Sequence, residues 1–282
     1  MKKILKIALV LLGISVILGI VALVMGANKN SFLKAIDSIK EYEKVELSYE
    51  NNVDTLKVDF KTLSVKLIVE EREDIKVLFY NAKTHKVNAL FGEGVLSLEE
   101  EKIKTDYFNL FNYITIFQEI SNKETVVVYV PLINFLKNID IKEINADIKL
   151  ENIDLEKIDI KTTNGDISLE NVKSDILKIN TTNGDIDIKN IDVAYIEIFT
   201  VNGEVKIKEI YFDKMSIKTT NSDVSIKNIN NDILQYHIKL DTTNGKIVYN
   251  SDKHNNHYEQ NEDNENYYLF IKTTNSKITV QQ

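Results

Sequence analysis

The sequence predicts an all-β protein, a parallel β-solenoid (a single β-helix) of about 19 residues per coil, preceded by an N-terminal transmembrane helix. Three observations carry this reading. The phrase Thr-Thr-Asn-Gly-Asp-Ile, residues Thr162 to Ile167, recurs with its asparagines at Asn164, Asn183, Asn202, Asn221, Asn244 and Asn275, and a worn copy stands at Asn145. The spacings from 145 to 221 are each 19 residues, then 23, then 31, and a fixed period of that length marks stacked repeats. Apolar and polar residues alternate on both sides of each phrase, the period-two pattern of a half-buried strand. Finally, the stretch from Ile7 to Met25 is uncharged and mostly apolar, close to the roughly 20 residues that span a bilayer as a helix.

In chain order, residues 1–27 read as a cytoplasmic tip and transmembrane anchor. Lys2, Lys3 and Lys6 stand on one side of the apolar run, so the positive-inside rule places the N-terminus in the cytoplasm and the C-terminal domain outside, single-pass in the cell membrane. A cleaved signal peptide has an apolar core of about 7–15 residues, so length favours an uncleaved anchor whose partner is the lipid bilayer. Residues 28–44 form a juxtamembrane linker, in which Phe32, Leu33, Ile36 and Ile39 at helical spacing predict a short amphipathic helix.

Residues 45–282 form the solenoid domain, with irregular early coils over 45–131 and regular repeats over 132–282. In the early part Leu56, Val58 and Phe60, then Val65, Leu67 and Val69, alternate again, and Lys61-Thr62-Leu63-Ser64-Val65 stands where a degenerate turn phrase belongs. Terminal repeats are usually atypical, so these coils are expected to cap the stack. Residues His85 to Glu119 are the least repetitive. Their aromatic run, Tyr107 to Phe117, is expected to pack on the solenoid as a cap, or to meet a partner or membrane surface if exposed.

Each regular coil reads as strand, loop, strand, turn. Ile158 and Ile160 precede one turn and Ile167 and Leu169 follow it. Gly165, Gly184, Gly203 and Gly245 follow the asparagines, and Ser222 and Ser276 replace glycine in two copies. This is the chemistry of a tight turn in which the backbone visits positive φ. Stacking the coils about 4.8 Å apart puts the asparagines in a column where their amides can hydrogen-bond as a structural turn ladder. The column Asp147, Asp166, Asp185, Glu204 and Asp223 is expected to be solvated at the corner. Thr162 and its equivalents share the parity of Ile158 and Ile160 and are expected to face inward, their hydroxyls on turn backbone groups.

Residues Phe60 to Leu67, the segment Val126-Val127-Val128-Tyr129-Val130-Pro131 with the only proline of the chain, and the Thr-Thr-Asn-Gly-Asp-Ile repeats resemble the bacterial "putative adhesin" family, whose members carry β-strand repeats preceded by a strand ending in proline. The similarity covers roughly residues 45 to 282. It implies a β-helical, envelope-associated, non-catalytic protein, and the family has no motif of catalytic residues to carry over.

Composition narrows the function classes. A net charge of −8 gives no electrostatic support for nucleic-acid binding. With no cysteine there are no disulfides, thiol catalysis or zinc-thiolate sites. No nucleophile-elbow, metalloprotease or phosphate-loop pattern occurs, so the chain is expected not to be an enzyme and to need no cofactor. His254 and His257, with Glu259 and Asp263 nearby, are weak metal candidates because imidazole and carboxylate suit zinc or nickel. A solvated polar loop is the plainer reading.

Two insertions interrupt the period, around Asn231 to Tyr236 and over Asn250 to Asn266. The second is the local candidate both for partner contact and for disorder. The last coil, ending at Ile278 to Gln282, is expected to present an open edge that its tail or a second chain must cover. The favoured function is a membrane-anchored binding scaffold at the cell surface, recognising a protein or envelope polymer. The alternative is an envelope-stress sensing accessory acting through a membrane partner. A carbohydrate-active β-helix ranks third.

Overall fold

Every nineteenth residue is a neighbour through the middle of the domain. A computed structural model describes residues 42–50, 52–82, 85–102, 124–132 and 136–282. In it β9 (Ile148–Lys161), β10 (Ile167–Asn180) and β11 (Ile186–Phe199) lie parallel and in register, so that Ile148, Ile167 and Ile186 form one column. Within β9 the side chains of Ile148, Leu150, Ile153, Leu155, Ile158 and Ile160 are all buried. Each coil thus contributes a row of aliphatic residues to a shared core, at about 1.5–3 kcal/mol for each side chain removed from water.

That row corrects the expected coil. The inward residues step by three, not two, from Leu150 to Ile153 and from Leu155 to Ile158, so the expected loop is a third short strand segment. Pairing lapses at Asn171 and at Asp175. The first lapse coincides with a column in which Asn152, Asn171, Asn190, Glu209 and Asn228 adopt φ of 57°, 55°, 51°, 58° and 56°. Asparagine tolerates this left-handed conformation better than other residues with a side chain. One left-handed residue turns the corner while the strand continues.

The stack proceeds through β12 (Val205–Tyr211), β13 (Lys214–Lys218) and β14 (Val224–Ile229), and then spatial order departs from chain order. The next coil in the chain, β15 (His237–Thr242) and β16 (Ile247–Tyr249), does not sit on it. Instead β19 (Tyr268–Thr273) pairs with β13 on one side and β15 on the other, and β20 (Ile278–Gln281) pairs with β14 and β16. The expected open edge at Ile278 to Gln282 is therefore an interior position.

The outer coil is covered by the long insertion. Asn250 and Ser251, with φ of 46° and 75°, both take the positive values that a two-residue type I′ hairpin turn requires, and the chain reverses. β17 (Asp252–His254) then lies antiparallel on β16, and β18 (His257–Gln260) antiparallel on β15. This part of the expected disorder candidate is an ordered cap.

The other end follows the same plan. β2 (Thr55–Asp59) and β3 (Ser64–Glu70) stack on β8 (Asn138–Lys142) and β9. β6 (Val95–Lys102) and β7 (Thr125–Pro131), later in the chain, lie outside them in parallel. β5 (His85–Gly92) covers β6 and β4 (Ile75–Asn81) covers β7, both antiparallel, and β1 (Glu43–Tyr49) pairs with β4. The reversal between β5 and β6 again uses two residues at positive φ, Glu93 and Gly94.

The chain divides into two units, Met1–Glu43 and Lys44–Gln282, and nearly all described residues belong to the second. Among the described residues no helix is long and apolar enough to cross a membrane. The expected anchor over 1–27, nearly all of the juxtamembrane segment 28–44, and the aromatic run Tyr107 to Phe117 lie outside them.

Candidate functional site

The repeated turns that the sequence singles out are joined side chain to side chain along the stack. Asn164 Nδ2 donates to Asn145 Oδ1 at 2.6 Å, Asn183 to Asn164 at 2.8 Å, Asn202 to Asn183 at 2.7 Å and Asn221 to Asn202 at 3.0 Å. The series then follows space and not sequence: Asn275 donates to Asn221 at 2.8 Å and Asn244 to Asn275 at 2.7 Å. All these amides point the same way along the stack, an arrangement in which each bond polarises the next.

The glycines serve a different end from the expected one. Of Gly165, Gly184, Gly203 and Gly245, only Gly203 has positive φ. A Cβ built on Gly165 would lie 1.7 Å from the Ala146 carbonyl oxygen, on Gly184 2.1 Å from that of Gly165, and on Gly245 1.8 Å from that of Ser276. Close approach of the neighbouring coil, not backbone freedom, requires the missing side chain.

The acidic column is also more than a solvated row. The backbone N–H of Asp166 donates to Asp147 Oδ1 at 3.0 Å, that of Asp185 to Asp166 at 2.8 Å, that of Glu204 to Asp185 at 2.7 Å and that of Lys277 to Asp223 at 2.8 Å. Each carboxylate so placed satisfies a turn donor of the next coil. The threonines Thr162, Thr181, Thr200, Thr219, Thr273 and Thr242 are buried. Thr200, Thr219 and Thr242 donate to turn carbonyls of Asn202, Ser222 and Ser276 at 3.3, 3.1 and 3.0 Å, whereas the buried hydroxyls of Thr162 and Thr181, expected to do the same, have no hydrogen-bond partner among the described residues.

Two features were missed from sequence. A second asparagine ladder runs along the left-handed corner, where Asn171 donates to Asn152 at 2.8 Å and Asn190 to Asn171 at 2.7 Å. The phrase Asn-Ile or Asn-Val at Asn152, Asn171 and Asn190, at the same 19-residue spacing, was its signal. The second is Glu143, which stands nineteen positions before Thr162 and so occupies the threonine column. It is buried with neither carboxylate oxygen hydrogen-bonded. Burial, with the Asp147 and Glu100 carboxylates nearby, pushes it up to about 9. Glu100 itself is buried but accepts from the backbone N–H groups of Lys61 and Thr62 at 2.6 and 2.7 Å and from the Thr62 hydroxyl at 2.5 Å. Burial alone would raise it, yet these donors hold it below the usual carboxylate range.

The weak metal candidates have different partners, and His257 Nε2 also lies 3.4 Å from Glu259 Oε2. His254 packs on Tyr258 with ring centroids 4.6 Å apart. His257 Nδ1 lies 2.6 Å from Asp241 Oδ1, while Glu259 meets His237 Nε2 and Lys239 Nζ, each at 3.0 Å. These pairs join strand β18 to β15. Among the described residues no group of three or more histidine or carboxylate side chains is arranged to hold a metal ion.

The two insertions, far apart in sequence, meet on one surface. The first closes with a short 3₁₀ turn (Ile233–Gln235), whose N-cap Asp232 accepts from the Leu234 N–H at 3.3 Å. The second reaches back to its carbonyls: Asn261 Nδ2 donates to Leu234 O at 2.5 Å and Tyr236 O at 3.1 Å, and Asn264 Nδ2 to Gln235 O at 2.6 Å. Tyr236 is buried between Phe212 and Tyr267, with centroids 5.3 and 5.4 Å away, and its hydroxyl donates to Phe212 O. Burial pushes its phenol up to about 12.

Beside this junction lies an open cleft of about 360 Å³ lined by Ala194, Tyr195, Asp213, Lys214, Asn266 and Tyr267. It shares Asn266 with a wider hollow lined also by Asn261, Asp263, Asn264 and Glu265. Its floor is held by the Asp213 N–H on Ala194 O and the Tyr268 N–H on Asp213 O, both 3.1 Å. Tyr267 stays 43% exposed although one side rests on Tyr236.

No curated protein matches the sequence. Similar solved structures include a "putative cell adhesion protein" from Clostridium sporogenes, 12% identical, covering 86% of this chain and 100% of that one with a TM-score of 0.35. Others are "putative adhesins" from Parabacteroides merdae (12%, 85% and 96%, 0.41) and Parabacteroides distasonis (10%, 86% and 98%, 0.43). At such scores the likeness carries no functional argument. The sequence itself matches the Toastrack DUF4097 family over residues 53–261, from the approach to β2 through the hairpin cap, and the chain belongs to that family.

Proposed function

We propose that the protein is a non-catalytic binding scaffold displayed outside the cytoplasm, held at the membrane by its N-terminal apolar segment, and that it meets an envelope polymer or protein through the surface built by the two insertions. The observation that carries this reading is the docking of Asn261 and Asn264 on the carbonyls of Leu234 to Tyr236, which fixes Asn266 and Tyr267 opposite Tyr195 and Asp213 across one cleft. The asparagine and aspartate columns of the regular coils spend their amides and carboxylates on one another. Here amides fix two loops while Tyr195, Asp213, Asn266 and Tyr267 line an opening, and insertions that decorate one face are where solenoids bind. Lys2, Lys3 and Lys6 before the apolar run support display on the outer side.

The test is a pull-down from intact cell envelopes with the full-length protein, comparing it with a Tyr267→Ala, Asn266→Ala double variant. Recovery of wall or extracellular polymer, lost in the double variant at unchanged melting temperature, is expected. Recovery of a membrane-embedded regulator in its place would replace this reading with that of a sensing accessory.

A further inference from the structure

We infer that the cleft between Tyr195 and Tyr267 binds an uncharged pyranose glycan. The inference rests on the scaffold reading above and assigns its ligand class. At about 360 Å³ the cleft lies at the lower end of the roughly 300–1,000 Å³ typical of small-ligand sites, a size suited to one or two sugar rings of a longer chain entering from the open side.

Its lining combines two kinds of group. Tyr267 offers a half-exposed ring braced from behind by buried Tyr236, and Tyr195 a second ring. The faces of an aromatic ring are electron-rich, and the C–H groups on one face of a pyranose are the complementary surface. Asp213 and Asn266, with Asp263 and Glu265 along the adjoining hollow, supply carboxylate acceptors and an amide for neighbouring hydroxyls. Hydrogen bonds from a hydroxyl to a carboxylate are of the stronger, charge-assisted kind.

Charge argues against acidic ligands. The linings of cleft and hollow together carry Asp213, Asp263 and Glu265 against the one cation Lys214, and Lys178, which sits over the Tyr195 ring 5.8 Å from its centroid, is paired with Glu197. Lys214 also sits over the Tyr268 ring, 5.8 Å from its centroid. A polymer of phosphodiesters or uronic acids would meet net repulsion in a cleft of that sign. Aliphatic side chains are nearly absent from the lining, where Ala194 is the only one, so an apolar peptide anchor finds no pocket.

The experiment presents neutral and acidic oligosaccharides, and a cationic peptide as a third class, to the full-length protein in a detergent without a sugar headgroup, followed by titration calorimetry on the tightest binder. A neutral oligosaccharide is expected to bind saturably. Tyr267→Ala is expected to weaken it tenfold or more and Asp213→Asn several-fold, while Phe199→Ala, on an exposed ring outside the cleft, leaves it unchanged. Asp213→Asn keeps the shape of the site and decides the matter if Tyr267→Ala loosens the loop. Preference for the acidic sugars or the peptide, or neutral-sugar binding indifferent to both cleft variants, would overturn the assignment. Envelope binding that the cleft variants abolish, without any neutral-sugar binding, would overturn the glycan and leave the scaffold standing. Neutral-sugar binding without envelope binding would do the reverse.

Discussion

Glu143 shows what one departure from the repeat does. Where the other coils bury a threonine, this one buries a carboxyl with no hydrogen-bond partner, raised to about 9. In the unfolded chain the same group releases its proton near its ordinary value of 4.5, so the folded state holds an extra proton between the two. Stability from this group is therefore intact below about pH 4.5 and is lost as pH rises toward 9, on the order of 3 kcal/mol by neutral pH. Glu143→Gln, which keeps the size and removes the titration, is expected to melt higher than the natural protein at pH 8, with the gap closing toward pH 4.5. A gap that does not change with pH would refute the account. The asparagine column was legible at this scale because identical side chains at a fixed period declare their own contact. The reason for Gly165 and Gly184 was not, since close approach and positive φ select the same residue and only coordinates separate them.

Elements were legible where they repeat. The 19-residue period carried the parallel stack and its core columns, whereas the second corner hid inside a nearly continuous apolar alternation, marked by a step of three between Leu150 and Ile153 and by the asparagines recurring at Asn152, Asn171 and Asn190. The caps were hidden for a different reason: β17 and β18 are short, polar and antiparallel, and their residues, from Asp252 to Gln260, have the composition of a loop. Their work is to occupy the outer backbone groups of β15 and β16, the kind of edge that otherwise recruits another chain. Replacing Asp252–Gln260 with a flexible glycine-serine segment of equal length is expected to increase concentration-dependent self-association over that of the natural protein by light scattering, with the β9 to β11 coils still folded. A variant that associates no more than the natural protein would show that the edge needs no cover.

For the whole molecule, the telling fact is that the coil of β19 and β20 lies inside the coil of β15 and β16. Nothing in the pattern announced this, because every coil carries the same apolar columns and any of them fits any neighbour. The order is set by the hairpin at Asn250 and Ser251, which sends the chain outward before it returns. Ending the chain after Asn266 should thus remove a middle coil and strand the outer one. Hydrogen exchange is expected to show protection lost at β15 and β16 together with the cap, while β9 to β11 stay protected. Persistent protection at Ile238 and Leu240 would contradict the arrangement. The same geometry has a consequence for synthesis. Folding that advances from the amino end builds β15 and β16 before the seat on which they rest exists, so two strands and their hairpin wait, open on one side, for residues 268–281 to slide beneath them. The far end behaves as a latch: it shuts only on a chain that has been made and delivered past that point, and a product cut short is betrayed by a loose end for proteases to find.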